Sequence, residues 1–320
     1  VLSLSDPSTV AFGPNTHDFV TRIVSCLPPG TARVLTTDSE FHSFTRQSRR
    51  FEEAGRMAVE RVKVEPYASF AARFLERAAS REHDLVYVSH VFFNSAFVFE
   101  DFREVAAAAR DDALVVIDGY HGFFALPTDL SGVERRVFYL AGGYKYAMSG
   151  EGACFLHCPP GFGARPVDTG WYAGFGNLES GEGRGAVQYA EDGTRFLGAT
   201  FDPSGLYRFD AVMELWRREG IDPAGVHAHA LGLERRFLER LDGLGSRELH
   251  SGRLVPDRSH AERGHFLTFR QSDAERLHAR LRERNVVTDW RGERIRFGFG
   301  VYQDESDVDE LGERLGDLLG

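Results

Sequence analysis

Apolar positions in the first two thirds of the chain follow two alternating rhythms. Short runs, nearly all apolar, predict strands over Arg33–Thr37, Val59–Val64, Asp84–His90, Ala113–Asp118, Arg136–Leu140 and Ala153–His157. Between them, apolar residues spaced three and four apart predict helices over His17–Cys26, Phe41–Gly55, Tyr67–Ala79 and Phe99–Arg110. Val86-Tyr87-Val88 and Val115-Val116-Ile117 are continuous apolar runs, the signature of strands buried on both faces. Strands interleaved with helices imply βαβ units and a mostly parallel sheet.

From Gly161 to Thr200 the rhythm stops, and glycine and aromatic residues take over (GWYAGFGNLESGEGRG). A long irregular stretch inside a compact chain points to function or to disorder, and the aromatics favour function. Helical spacing returns over Ser204–Glu219 and Pro223–Leu244. The end reads as strand His265–Arg270, helix Asp273–Arg284, strands Val286–Trp290 and Arg294–Phe299, and helix Glu305–Leu319. Ser272 and Glu275 have the spacing of a capping box. The expected architecture is α/β: a large sheet domain over residues 1–202, then a helical connection and a small α+β domain over 203–320. No internal repeat is evident.

Composition narrows the chemistry. The net charge of −10 argues against nucleic acid as the main partner. No run reaches the roughly 18 apolar residues that a membrane span needs. The opening VLSLSDPSTV lacks the basic and apolar regions of a signal peptide. Cys26, Cys154 and Cys158 make no disulfide framework, which fits a reducing, cytoplasmic setting. Of the 38 basic residues only Lys63 and Lys145 are lysines, so lysine chemistry has two candidates.

The candidate chemistry begins at Asp118, which ends the run Val-Val-Ile-Asp-Gly-Tyr-His121. Ligands of open α/β sheets bind outside the carboxyl ends of strands. An aspartate there could hold a ribose, a metal or a protonated pyridine nitrogen. One strand later comes Gly142-Gly-Tyr-Lys145-Tyr. Aromatic neighbours lower a lysine's exposure, and partial desolvation makes its amine nucleophilic. Acid and lysine in this order match the needs of pyridoxal phosphate (PLP): a carboxylate for the ring nitrogen and an amine for the aldehyde. The competing reading has Asp118 capping a turn and Lys145 in solvent.

Asp118-Gly-Tyr-His121, Tyr144-Lys145-Tyr146 and Gly150-Glu-Gly-Ala-Cys-Phe-Leu-His157 together resemble the class V aminotransferase superfamily of fold-type I PLP enzymes, and within it kynureninase. Arg294-Ile-Arg296-Phe-Gly-Phe with Tyr302 resembles the family's C-terminal strand and helix, and Arg263-Gly264 to Asp289 the unit before it. The resemblance implies the type I PLP-transferase fold, with a large sheet of the seven-stranded type, and a homodimer with the active site at its interface. Lys145 would be the Schiff-base lysine and the proton shuttle at Cα, Asp118 the partner of the pyridinium nitrogen, and His121 a neighbour of the cofactor ring. Phe41 would stack on the ring. Asn15, Thr16 and Tyr144 would hold the phosphate, Thr16 by opening a helix whose free N–H groups favour an anion. Arg296 would clamp the substrate carboxylate, with Trp171 as a wall of the substrate pocket. No metal is implied. Each residue also has a plainer reading: Phe41 as core, Thr16 as a cap, His121 as a supporting histidine, Arg296 paired with Glu293 or Asp289, Trp171 as loop packing.

Three departures qualify the resemblance. Family members carry a further N-terminal region, so this chain is expected to lack part of the large domain. Phe93 stands where the family has a hydrogen-bonding residue near the cofactor's ring oxygen, and a phenyl ring has no donor. Thr200 stands near the asparagine that helps kynureninases bind an aryl substrate. Cysteine desulfurase chemistry needs a later cysteine, and none follows Cys158. The expected activity is therefore PLP chemistry at the Cα of an amino acid, by a kynureninase-like hydrolase or lyase or a class V aminotransferase. The alternative is a PLP-fold binding or regulatory protein without catalysis. A nicotinamide-dependent dehydrogenase would need a glycine-rich turn after a first strand, which Gly170-Trp-Tyr-Ala-Gly does not provide.

Overall fold

The computed structural model describes residues 1–180 and 186–319; within the irregular stretch, residues 181–185 lie outside the described residues. The chain forms two compact units. The first comprises residues 1–90, 99–123 and 128–219, and the second residues 91–98, 124–127 and 220–320.

The first unit is built on seven strands: β1 (Val10–Gly13), β2 (Ala32–Thr37), β3 (Met57–Val62), β4 (Leu85–Ser89), β5 (Leu114–Asp118), β6 (Val137–Gly142) and β7 (Cys154–His157). Their order is β1-β7-β6-β5-β4-β2-β3. The pairs from β6 to β3 are parallel, and β7 runs antiparallel to both β6 and β1. Six strands match the sequence expectation to within a few residues. The seventh, β1, was not expected: four residues followed by Pro14 give too short a pattern, and only pairing with β7 makes them a strand.

Helices α1 (Thr16–Ser25), α2 (His42–Glu53), α3 (Phe70–Ala78), α4 (Phe102–Ala108) and α5 (Ser204–Arg218) complete the first unit. Phe19, Val20, Ile23 and Val24 recur at helical spacing on α1 and pack with Val34, Tyr87, Val116, Phe138 and Leu156 of the sheet. Phe70 and Phe74 of α3 meet Phe99 at ring distances of 5.4 and 5.8 Å. Helix α5 belongs to this unit, so the boundary lies at Glu219–Gly220 and not at 202–203. The reason is side-chain bonding: Trp216 Nε1 donates to the Ala147 carbonyl at 3.0 Å, and Arg208 to the carbonyls of Ser149 and Glu151.

The second unit packs α6 (Pro223–Gly243), α7 (Ala274–Glu283) and α8 (Glu305–Leu319) with a three-stranded antiparallel sheet, β8 (Phe266–Arg270), β9 (Asp289–Arg291) and β10 (Arg294–Gly298), in the order β8-β10-β9. Phe237, Phe269, Ile295, Phe297, Leu277 and Leu315 form its core. Two sequence expectations need correction here. The capping box does not form: α7 has Asp273 at its N-cap with no side-chain cap bond. The strand expected over Val286–Trp290 begins only at Asp289, because Asn285 has φ +55° and the Val286 N–H returns to Leu281 O, closing the helix end. No helix among the described residues is long and apolar enough to cross a membrane.

Phe138 is fully buried in β6, edge-on to Phe196 at 5.5 Å. Phe138→Ala is expected to destabilise the first unit by about 3–5 kcal/mol, read as a lower urea midpoint; an unchanged midpoint would contradict this packing.

Candidate active site

The parallel strands end on a common edge, and there the first unit opens a cavity of about 500 Å³. Asp118 closes β5 and Ser89 closes β4, and the two are register partners. Tyr87 lies two residues earlier, on the same face of β4. Gly119 is required next: a Cβ there would lie 2.0 Å from the ring of Tyr139. The chain can therefore turn against Tyr139 and set Tyr120 and His121 in the cavity wall.

Asp118 is held from two sides. One carboxylate oxygen accepts the Tyr87 hydroxyl at 2.7 Å, and the other the Tyr120 N–H at 3.0 Å. Tyr87 is itself fixed by Phe44, stacked at 3.6 Å. Burial still pushes the Asp118 carboxyl above its ordinary value; the two hydrogen bonds and the positive charge of Lys145 pull it back, by less. Burial, then the charge of Asp118, push the Tyr87 phenol well above its usual range.

Lys145 sits on the loop after β6 and lines the same cavity. Its Nζ lies 5.8 Å from the centre of the Tyr120 ring and 5.9 Å from that of Tyr144. The loop is tied internally by Ser149 N–H to Gly143 O at 2.8 Å and by Met148 N–H to Lys145 O at 3.0 Å. Gly143 is required because a Cβ would meet Ser149 Oγ at 1.9 Å. Arg208 and Trp216 of α5 hold the loop from outside.

The start of α1 forms a further wall. Asn15 is its N-cap and accepts the Asp18 N–H at 3.0 Å; Thr16 donates its N–H to the Cys154 sulfur. Asn15, Thr16 and His17 all line the cavity. Phe41 stands across it, tilted at 56° to His121 with ring centres 6.2 Å apart. Tyr144 lies at the rim, about half exposed.

Asn15, Thr16, Phe41, Asp118, His121, Tyr144 and Lys145, singled out from the sequence, thus converge on one cavity. Two others do not line it. Trp171 stacks on Tyr172 at 4.2 Å in the irregular stretch, where neighbouring aromatics satisfy it. Arg296 lies on β10 of the second unit, where it pairs with Asp289 and donates to the Phe93 carbonyl. It lines a separate cavity of about 360 Å³ together with Phe93, Arg270 and Arg294. Tyr87, Glu40, Arg208 and Trp216 were missed by sequence reasoning. Tyr87 could have been found, since it lies in the same apolar run as Val86 and Val88 and carries a hydroxyl that needs a buried partner.

Residues 226–315 match the family model of the kynureninase C-terminal domain. A kynureninase of Deinococcus radiodurans is 30% identical over 214 residues, 65% of this chain and 50% of that protein. A kynureninase of Pseudomonas fluorescens is 25% identical over 252 residues, 77% of this chain and 58% of that protein. The chain therefore spans little more than half the length of these curated relatives. Among solved structures, the complex of the cystine C-S lyase C-DES with cysteine persulfide has a TM-score of 0.80 at 20% identity, covering 98% of this chain and 83% of that one. An apo cysteine desulfurase from Thermococcus onnurineus NA1 has a TM-score of 0.74 at 17% identity, covering 98% and 79%. A variant of C-DES has glycine covalently linked to its PLP cofactor, with a TM-score of 0.74 at 20% identity, covering 98% and 82%. The fold is the type I fold of these PLP-dependent proteins, and the resemblance to kynureninase and the class V aminotransferase superfamily is found again.

Tyr87→Phe removes one of the two donors to Asp118. It is expected to destabilise the protein by about 1–3 kcal/mol at neutral pH. The Tyr87 bond lowers the Asp118 pKa, so its loss costs most where the carboxyl is ionised. The gap between variant and wild type should narrow as pH falls through the raised range of the Asp118 carboxyl, above the ordinary carboxylate value, because both proteins become protonated there. A gap in melting temperature that is independent of pH would contradict the assignment.

Proposed function

We propose that this protein is a PLP-dependent enzyme acting at the Cα of an amino-acid substrate, with Lys145 as the amine that carries the cofactor. The observation that carries the reading is the meeting of Lys145 and the buried Asp118 in one cavity, with one of only two lysines in the chain at that place. Three features fit the cofactor. Asp118 is a desolvated carboxylate whose two protein donors do not offset its burial, the setting in which a protonated ring nitrogen is a favourable neighbour. Lys145 supplies the amine. The N-terminus of α1, with Asn15 and Thr16, supplies the positive dipole end that suits a phosphate. The relatives' names and the PLP-bound structural neighbour support the same reading.

PLP when bound supplies an aldehyde and an electron-withdrawing ring, which together stabilise negative charge at Cα. The residues of this chain then have distinct tasks. Asp118 holds a proton on the ring nitrogen, and Tyr87 and the Tyr120 N–H hold Asp118. Phe41 would pack against the ring and His121 would border it. Asn15, Thr16 and Tyr144 would hold the phosphate. Lys145 takes and returns the proton at Cα, a role served by its place on a braced loop. Arg296 binds the substrate carboxylate, exchanging part of its pairing with Asp289 for the substrate. Trp171, with its exposed face, borders the substrate.

A kynureninase-like hydrolase or lyase is favoured over a persulfide-forming reaction. Cys154 and Cys158 are buried, and burial pushes the thiol of Cys154 up to about 11 and that of Cys158 higher still. Such thiols are poor nucleophiles. Transamination shares the same proton transfer at Cα and differs in the later steps. We take the working protein to be a homodimer in the cytoplasm.

Lys145→Ala is expected to keep the far-UV spectrum and melting profile of the wild type, to lose the visible absorbance of lysine-bound PLP, and to lose turnover. Normal turnover by this variant would overturn the proposal. Arg296→Ala is expected to raise KM for amino acids by about tenfold or more, as loss of a charge-assisted pair predicts, and to leave binding of the corresponding amines unchanged. An equal loss for both would remove Arg296 from the carboxylate site.

A further inference from the structure

The wall behind Asp118 holds a second buried carboxyl. Glu40 is 3% exposed and sits immediately before Phe41 in the turn between β2 and α2. One of its oxygens takes the Thr37 hydroxyl at 2.7 Å and the Ser89 N–H at 3.3 Å, and the other meets the Ser89 hydroxyl at 2.5 Å. Ser89 is the cross-strand partner of Asp118. The carboxyl of Glu40 therefore spans from its own turn to the end of β4, one strand from Asp118. The same turn is tied at its other end by the Thr45 hydroxyl to Glu40 O at 2.9 Å and by the Thr45 N–H to Phe41 O at 3.0 Å.

We propose that Glu40 is a positioning residue of the cofactor site: its protonated carboxyl bolts the turn bearing Phe41 to β4 and leaves Asp118 the single anion of that wall. The inference rests on the PLP reading for what Phe41 and Asp118 contact. Its basis is geometric. Two carboxyls in one dry wall do not both ionise without a cation between them. Tyr87 from β4 and Asp118 from β5 bear on Glu40, and neither is cationic. Asp38, on its own turn, is engaged with the Ser39 hydroxyl and the Val64 N–H. Lys145 acts on Asp118. Both carboxyls accept hydrogen bonds, but Asp118 also has the charge of Lys145, so Glu40 takes the proton. Burial and the charge of Asp118 push the Glu40 carboxyl up to about 8, against the pull of its hydrogen bonds.

The test uses Glu40→Gln, which keeps a hydrogen-bonding amide without a titrating group, and Glu40→Ala, which removes the bolt. The first measurement is the melting temperature of PLP-free protein against pH. A carboxyl whose folded pKa is raised stabilises the fold below its unfolded value and loses that contribution as pH rises. Wild type should therefore lose melting temperature relative to Glu40→Gln between pH values of about 4.5 and about 8, and run parallel to it above that window. The second measurement is the PLP dissociation constant at neutral pH. Glu40→Gln should stay within about threefold of wild type, and Glu40→Ala should weaken binding by about tenfold or more through loss of the turn's anchor. Parallel melting curves throughout, or PLP binding by Glu40→Ala equal to wild type, would overturn the inference. A wild type that binds no PLP would instead overturn the functional reading, and the melting curves would still decide the protonation of Glu40.

Discussion

A single buried carboxylate, Asp118, sets the terms for the first unit. Its charge sits at the carboxyl edge of a sheet whose strands are apolar on both faces, an unfavourable place for an anion. The surrounding structure answers that cost. Tyr87 and the Tyr120 N–H donate to it, Phe44 stacks behind Tyr87, and Gly119 lets the chain turn tightly enough to bring the Tyr120 N–H into place. These contacts do not fully offset burial, so the site favours a positive partner. Lys145 is one such charge, and the ring nitrogen of PLP is the second in the reading proposed here.

The lysine is positioned by different means. Its loop has little regular structure, and its precision comes from carbonyl groups held by distant side chains. Arg208 and Trp216 reach in from α5 to the carbonyls of residues 147, 149 and 151. A helix some sixty residues further along the chain thereby becomes part of the support of the Lys145 loop. This bracing also accounts for the boundary between the units falling after α5. In the proposed reading, an amine on a braced loop is held near its working geometry at little entropic cost.

The second unit holds Arg296, the carboxylate-binding residue of the proposed reading. Arg296 is held on β10 between Asp289 and the Phe93 carbonyl, with its guanidinium 5.4 Å from the Phe266 ring. Pairing of this kind keeps the guanidinium in one orientation, which suits bidentate recognition of a carboxylate. Phe93 contributes its backbone carbonyl to that arrangement, so a phenyl side chain at this position is compatible with a polar role for the residue.

How much of this was legible in the sequence follows from the range of the forces involved. Apolar periodicity is local, so six of the seven strands and most helices could be read directly; the short β1 could not, because its stability lies in its partner β7. Asp118 and Lys145 stood out because an acid at a strand end and one of only two lysines are local facts, and the resemblance supplied Asn15, Thr16, Phe41, Tyr144 and Arg296. Tertiary structure alone decided which of these share a cavity, that Trp171 turns to Tyr172, and that Arg296 pairs with Asp289. It alone revealed Glu40 beside Asp118, since the two are 78 residues apart in the chain and meet only when β4 and β5 pair. Local pattern determines which residues can form strands, caps and candidate sites. Long-range strand pairing and burial determine which charges face each other, and therefore which can work together.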